Sequence, residues 1–73
     1  MKSNIYLEDY KKTIKKLKQV RTRLGMTQRK VASLLNKPQS YVSKSESGDR
    51  RIDIVELKKF ARIYKKDTSF FLK

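Results

Sequence analysis

Gly25-Met26-Thr27-Gln28-Arg29-Lys30-Val31-Ala32-Ser33-Leu34-Leu35-Asn36-Lys37-Pro38-Gln39-Ser40-Tyr41-Val42-Ser43-Lys44-Ser45-Glu46-Ser47-Gly48 is the stretch that decides the fold. Both glycines of the chain stand at its ends, and the single proline stands inside it. Thr27 is a good N-cap, because a hydroxyl there accepts from a backbone N–H that the first turn leaves free. Val31, Leu34 and Leu35, with Ala32 alongside, form the apolar stripe of the helix that Thr27 opens. Asn36 tolerates left-handed backbone better than most residues, and Pro38 disfavours the α conformation at Lys37. The helix therefore stops at Asn36–Lys37. Proline suits a helix start, so a third helix is expected near Pro38–Ser45 after a tight turn.

Helical periodicity continues on both sides. Upstream, Tyr10, Ile14, Leu17, Arg21 and Leu24 recur at alternating steps of four and three, with Val20 beside them. That spacing predicts one face of a first helix from about Leu7 to Leu24, ended by Gly25. Downstream, Gly48-Asp49-Arg50-Arg51 reads as a loop. Asp53 and Glu56 have the spacing of a capping box and open a fourth helix with the stripe Ile54, Leu57, Ala61, Tyr64 and Phe60 beside it. Asp67 or Thr68 is placed to cap a last short turn through Phe70-Phe71-Leu72.

Composition narrows the function. The chain has 73 residues, enough for one domain, with a core expected over about 14–66. It has no cysteine and no histidine, which removes the usual zinc ligands and the usual imidazole base. None of its seven acidic residues falls in a catalytic motif. No enzyme, metal or cofactor is implied. Twenty Lys and Arg against seven Asp and Glu give a net charge of +13, which attracts polyanions. Met1–Tyr6 lacks the apolar run of a signal peptide, and nothing approaches the roughly 20 apolar residues of a membrane span. A cytoplasmic location is the expectation.

Two short helices joined by a tight turn in a basic all-α chain make a helix-turn-helix, whose second helix enters the major groove of DNA. Leu17–Arg21, Gly25-Met26-Thr27-Gln28, Val31-Ala32 and Leu34-Leu35, followed by the run from Pro38 to Asp53 with Gln39-Ser40-Tyr41-Val42-Ser43-Lys44, Glu46, Gly48 and Arg50-Arg51, resemble the XRE family of phage Cro and repressor type. The resemblance covers roughly Leu17 to Tyr64. It implies a lambda-repressor-like compact bundle of about five helices, all-α, with a central helix-turn-helix. Three positions depart from the family pattern. Asn36 stands where glycine is common. Ser45 replaces an apolar residue, so weaker packing is expected there. Arg29 and Lys30 replace residues that are often acidic.

Val42 is expected to point inward, which turns Gln39, Ser40, Ser43 and Lys44 outward. Glutamine pairs bidentately with adenine, so Gln39 is the expected base reader. Lys44 reaches a guanine or a phosphate; Ser40 and Ser43 reach less far. The Tyr41 ring is expected under the third helix with its hydroxyl toward a phosphate. The resemblance assigns Gln28 a bond to the DNA backbone, and it pairs Arg21 with Glu46 as a partly buried ion pair. Arg50 and Arg51 take either a backbone contact or a helix-terminal role. Lys11, Lys12, Lys15 and Lys16 are read as contributing a general field rather than contacts.

The function that follows is sequence-specific binding of double-stranded DNA by a transcriptional repressor or small activator. The alternatives are an antitoxin-type module with a protein partner and a nonspecific binder of RNA or membrane surfaces. A toxin-binding segment would extend beyond the motif, and only residues 1–16 and 65–73 lie outside it. A nonspecific binder would not need the Gly25-to-Gly48 spacing. One helix-turn-helix reads few base pairs, so a homodimer on an inverted-repeat operator is expected. Phe70-Phe71-Leu72 cannot all face one side of a short helix; the exposed part, with Phe71 chosen as its representative, is the expected dimer contact.

Overall fold

Five helices follow from where the chain is able to turn. The computed structural model describes the backbone of residues 3–73 and the side chains of residues 7–73. Helix α1 spans Ser3–Arg23, α2 Gln28–Leu35, α3 Gln39–Ser47, α4 Ile54–Ile63 and α5 Thr68–Leu72. There is no strand among the described residues, and none of their helices is long and apolar enough to cross a membrane.

Three of the helices close in the same way. At Gly25, Asn36 and Lys65 the backbone turns left-handed, with φ of 73°, 60° and 56°. Each of these residues donates its N–H back three residues, to Thr22, Ser33 and Arg62, at 3.0–3.1 Å. The next residue donates to Arg21, Ala32 and Ala61 at 2.9–3.0 Å. These paired bonds satisfy carbonyls that the helix end leaves open. The third closure is unforeseen in the sequence, because lysine gives no hint of a left-handed position.

The starts are capped by side chains where the sequence led one to look. The Thr27 hydroxyl accepts from Lys30 N–H at 3.0 Å. Asp53 accepts from Glu56 N–H at 2.8 Å, and Glu56 accepts from Asp53 N–H at 2.9 Å. Pro38 is the N-cap of α3 rather than its first helical residue. Asp67 holds the N-cap position of α5 without a side-chain cap bond.

Each helix contributes one apolar side chain that is fully excluded from solvent: Leu17, Val31, Val42, Phe60 and Phe71. Tyr41, Phe60, Tyr64, Phe71 and Phe70 form a string of aromatic neighbours, with successive ring centroids 6.3, 6.3, 6.5 and 5.1 Å apart. The string runs from α3 through α4 to α5. The core therefore extends past residue 66, and Phe71 is an interior residue rather than the exposed member of its trio. Phe70 and Leu72 are the exposed ones.

Other stripe residues also turn outward. The first helix starts before Leu7 and ends at Arg23, which leaves Leu24 half exposed. On α2 the buried face centres on Val31 and Ala32, and Leu34 lies about 110° away from it at 100° per residue. Ile54, the first residue of α4, lies beyond the face formed by Leu57, Phe60, Ala61 and Tyr64. Ser45 is completely buried without being a packing defect: its hydroxyl donates to Tyr41 C=O at 2.7 Å and accepts from Arg50 Nη1 at 3.3 Å.

Replacing Lys65 by glycine should raise stability by up to about 1 kcal/mol, because the left-handed strain of a Cβ exceeds the added flexibility of the unfolded chain. Lys58→Gly, in the middle of α4, should cost about 1 kcal/mol. Denaturant titration of both variants checks the contrast.

Candidate nucleic-acid interface

Burial of Val42 and Ser45 fixes the rotation of α3 and leaves Gln39, Ser40, Ser43 and Lys44 exposed on its outer side. Gln39 stands in the first turn, beside the start of α2. Its Nε2 donates to Gln28 Oε1 at 3.4 Å. Gln28 Nε2 in turn donates to Glu46 Oε1 at 3.1 Å. Glu46 receives Arg21 Nε at 2.6 Å and Nη2 at 3.0 Å, a two-pronged pair. Arg21 Nη1 donates to Met26 C=O at 2.9 Å, which ties in the loop before α2. A single polar chain thus runs Gln39–Gln28–Glu46–Arg21 across α3, α2 and α1.

The pair is nearly dry, with side chains only 9% and 3% exposed for Arg21 and Glu46. The Glu46 hydrogen bond raises the Arg21 guanidinium above its ordinary pKa, against the opposing effect of burial. Tyr64 lies close enough to feel both charges, and burial pushes its phenol up strongly.

Donor and acceptor inventory shows what the chain leaves available. A glutamine amide has two N–H donors and a carbonyl acceptor. Gln39 uses one N–H on Gln28, which leaves one N–H and its Oε1. Gln28 uses one N–H on Glu46 and its Oε1 on Gln39, which leaves one N–H. Around them, Arg21, Met26, Thr27, Gln28, Arg29 and Gln39 line an open hollow of about 490 Å³ at the start of α2.

A second polar cluster holds the loop after α3. The Tyr41 hydroxyl donates to Glu56 Oε2 at 2.9 Å, and Arg50 Nη2 bonds the same oxygen at 2.8 Å. The Arg50 guanidinium lies 4.1 Å above the Tyr41 ring, whose other neighbours are Phe60, stacked at 6.3 Å, and the Lys37 ammonium at 5.3 Å. The Arg50 hydrogen bond, with help from Asp53 N–H and Tyr41, draws the Glu56 carboxyl down to about 2. Burial and the Glu56 bond raise the Tyr41 phenol. The hydroxyl proton of Tyr41 goes to Glu56, so no donor remains there for a phosphate. Arg50 is engaged at the end of α3 by Glu56, Tyr41 and Ser45. Arg51 differs: it is exposed, with its guanidinium 4.7 Å over the Tyr10 ring.

Tyr10 was visible in the sequence only as one member of an apolar stripe. Its hydroxyl accepts from Ile52 N–H at 2.9 Å and donates to Arg50 C=O at 3.4 Å, clamping the loop to α1. Forty residues separate these partners, so no local spacing signals the contact. Gln28 and Gln39 meet at the start of α2, and Gln39, Ser40, Ser43 and Lys44 share the outer side of α3, whereas Arg51 lies in the following loop against Tyr10 of α1. Tyr41 and Arg50 lie beneath them.

A helix-turn-helix family model matches residues 17–71. A solved structure of an XRE-family like protein from Pseudomonas syringae pv. tomato str. DC3000 superposes with a TM-score of 0.91 at 34% identity, covering 97% of this chain and 87% of that one. No curated protein matches.

Removing either member of the ion pair leaves a buried charge unmatched. Arg21→Ala or Glu46→Ala should cost about 3–5 kcal/mol. The double substitution should cost clearly less than the sum of the singles; denaturant unfolding of all four proteins measures the coupling, and strict additivity would contradict it.

Proposed function

The chain belongs to the XRE family of helix-turn-helix proteins, and from that membership we propose a sequence-specific transcriptional regulator, a repressor or small activator, that acts in the cytoplasm and reads an operator through α3. DNA binding is the activity of this family's domain. Residues 1–73 act as one such domain. The observation that carries the specific reading is the state of Gln39. Its bond to Gln28 engages one N–H and leaves one N–H and the carbonyl oxygen without a partner on the exposed side chain. Adenine presents the N7 acceptor and N6 donor that this pair matches. Gln28 retains one N–H at the start of α2, where helix-end amides favour a phosphate. Lys44, Ser40 and Ser43 extend the reading face, and Arg51 supplies a cation at the loop.

Gln39→Ala should lower affinity for the preferred operator by about 1–3 kcal/mol, relax preference at one base position and leave the salt slope nearly unchanged. Lys44→Ala separates two roles. A phosphate contact predicts weaker binding on every sequence and a slope flatter by about one unit, whereas a guanine contact predicts loss on the preferred site alone. Selection of bound duplexes from a random pool, followed by titration at several salt concentrations, makes the test. Equal loss for Gln39→Ala on preferred and random DNA would sink the base-reading role.

The same proposal extends to a homodimer on an inverted repeat, with half-sites about 34 Å apart. An apolar groove of about 270 Å³ lies between α1, α4 and α5, lined by Tyr10, Ile14, Ile52, Ile54, Leu57 and Leu72. Ile54, Val55 and Leu72 are each more than half exposed. Asp9 and Asp53 stand on its rim, so this face offsets part of the positive charge that would otherwise oppose a second +13 copy. Leu72→Asp should weaken binding to a full inverted repeat far more than to a half-site. Phe71→Asp is no test of the interface, because Phe71 is core and its loss unfolds the domain. Sedimentation with a full-site duplex reads the stoichiometry; one copy per full site for the unaltered chain counts against the dimer.

A further inference from the structure

The lysines of α1 are not equivalent. Lys16 is half-buried and donates to Lys73 C=O at 2.8 Å and Phe70 C=O at 3.4 Å, holding the end of α5. Lys11, Lys12, Lys15 and Lys18 are exposed, and none forms an ion pair among the described residues. They line a groove of about 480 Å³ whose other walls are Ile14, Glu8 and Glu46. Glu46 belongs to α3. The lysine groove therefore runs beside the DNA-reading helix and not on a remote face.

The charge of Glu46 is already matched by Arg21, so the α3 wall does not cancel the lysines. Glu8 is the one other carboxylate in the groove. On the far side of the Arg21–Glu46 pair lies the hollow with Arg29, Gln28 and Gln39. One member of that buried pair lines each concavity, Glu46 the lysine groove and Arg21 the hollow.

We propose that Lys11, Lys15 and Lys18, with Lys12 beside them, form a second phosphate-binding track that holds the DNA backbone beyond the contacts of α2 and α3. The three fall at steps of four and three on one side of the helix. At 1.5 Å rise per residue their Cα atoms span about 10 Å along the axis. One strand of duplex DNA rises about 3.4 Å per phosphate along the duplex axis, so a row laid along that axis spans about three phosphates. The inference rests on the DNA-binding reading above and adds a site to it.

The test is the triple variant Lys11→Gln/Lys15→Gln/Lys18→Gln, titrated with duplex containing the selected operator. All three side chains are exposed, so its thermal melt should match that of the unaltered chain. The slope of log affinity against log salt should become less steep by about 2–3 units, with base preference unchanged. Equivalently, the advantage of the unaltered chain over the variant should shrink by about 16–64-fold between 50 and 200 mM salt. Phosphate-ethylation interference should lose positions that Gln28→Ala retains. A control triple, Lys59→Gln/Lys65→Gln/Lys66→Gln, removes the same charge from α4 and the loop after it and should change the slope by less than one unit. Equal slope changes in the two triples would show that the α1 lysines act only through the overall field, and would overturn the track. An unchanged slope in the α1 triple would overturn it as well. Absence of duplex binding by the unaltered chain would remove the DNA-binding reading itself, a different outcome from either.

Discussion

An arginine on the apolar face of a helix is the constraint around which this small domain is organised. Arg21 lies in the same stripe as Ile14 and Leu17 and is 8% exposed. A guanidinium cannot lose its charge at any ordinary pH, so the fold must bring it a carboxylate. Glu46 is that carboxylate, and meeting it sets the position of α3 against α1. Met26 C=O takes a further Arg21 proton and so draws in the loop before α2. Gln28 completes Glu46 and passes the order on to Gln39. An ion pair of this kind contributes little net stability compared with apolar residues of the same volume. Its effect is directional: it selects one arrangement of three helices, and the first turn of α3 inherits that arrangement.

The loop after α3 is held by the same strategy. Glu56 caps its own helix through Asp53, binds Arg50 and accepts a hydrogen bond from the Tyr41 hydroxyl. A carboxylate whose pKa falls on folding adds stability above its unfolded value and loses it as the pH drops toward the folded one. For Glu56 that window runs from about 4.5 down to about 2. The loop also leans on Tyr10, so α1 holds the last turn of α3 and the loop after it with polar contacts. Domains of this length bury limited apolar surface. Five fully excluded apolar side chains, one per helix, need such directed contacts to give a unique geometry.

Much of this was legible in the sequence, and the reason is locality. Caps at Thr27 and Asp53, the left-handed Asn36 and the break before Pro38 depend on residues within a few positions of one another. The inward rotation of Val42 follows from helical period alone. The Arg21–Glu46 pair spans 25 residues; an arginine inside an apolar stripe signalled that some partner existed, but only family resemblance said which. The polar partners of Tyr10, Tyr41 and Arg50 were not foreseen, since they lie on other elements and the same side chains would serve equally well at a surface; for Arg50 the structure takes the helix-terminal alternative. Leu24, Leu34 and Ile54 were over-assigned to the core because a stripe read from sequence has no knowledge of where the neighbouring helix ends. Lys65 was missed because its left-handed turn is imposed by the closure of α4, against the residue's own preference.

The distribution of acidic residues links folding to binding. Of the seven, Glu46 and Glu56 neutralise arginines inside the fold and Asp53 caps α4. The interior polar contacts thus consume a large share of the negative charge and leave the outer surface dominated by lysine and arginine. A net charge of this size opposes the compact state through self-repulsion. Condensing the same charge onto a polyanion relieves that repulsion and releases the counterions the duplex had gathered. Any ligand that binds the folded chain in preference to the unfolded one stabilises it by mass action. An unfolded chain of equal charge also attracts DNA, but without the fixed Gln28–Gln39 amides it cannot match a base pattern. Charge-driven binding to DNA draws on charge that both states share, whereas the placement of the Gln28 and Gln39 amides exists only in the folded Arg21–Glu46 arrangement. The position of those amides and the arrangement of α1, α2 and α3 depend on the same buried pair.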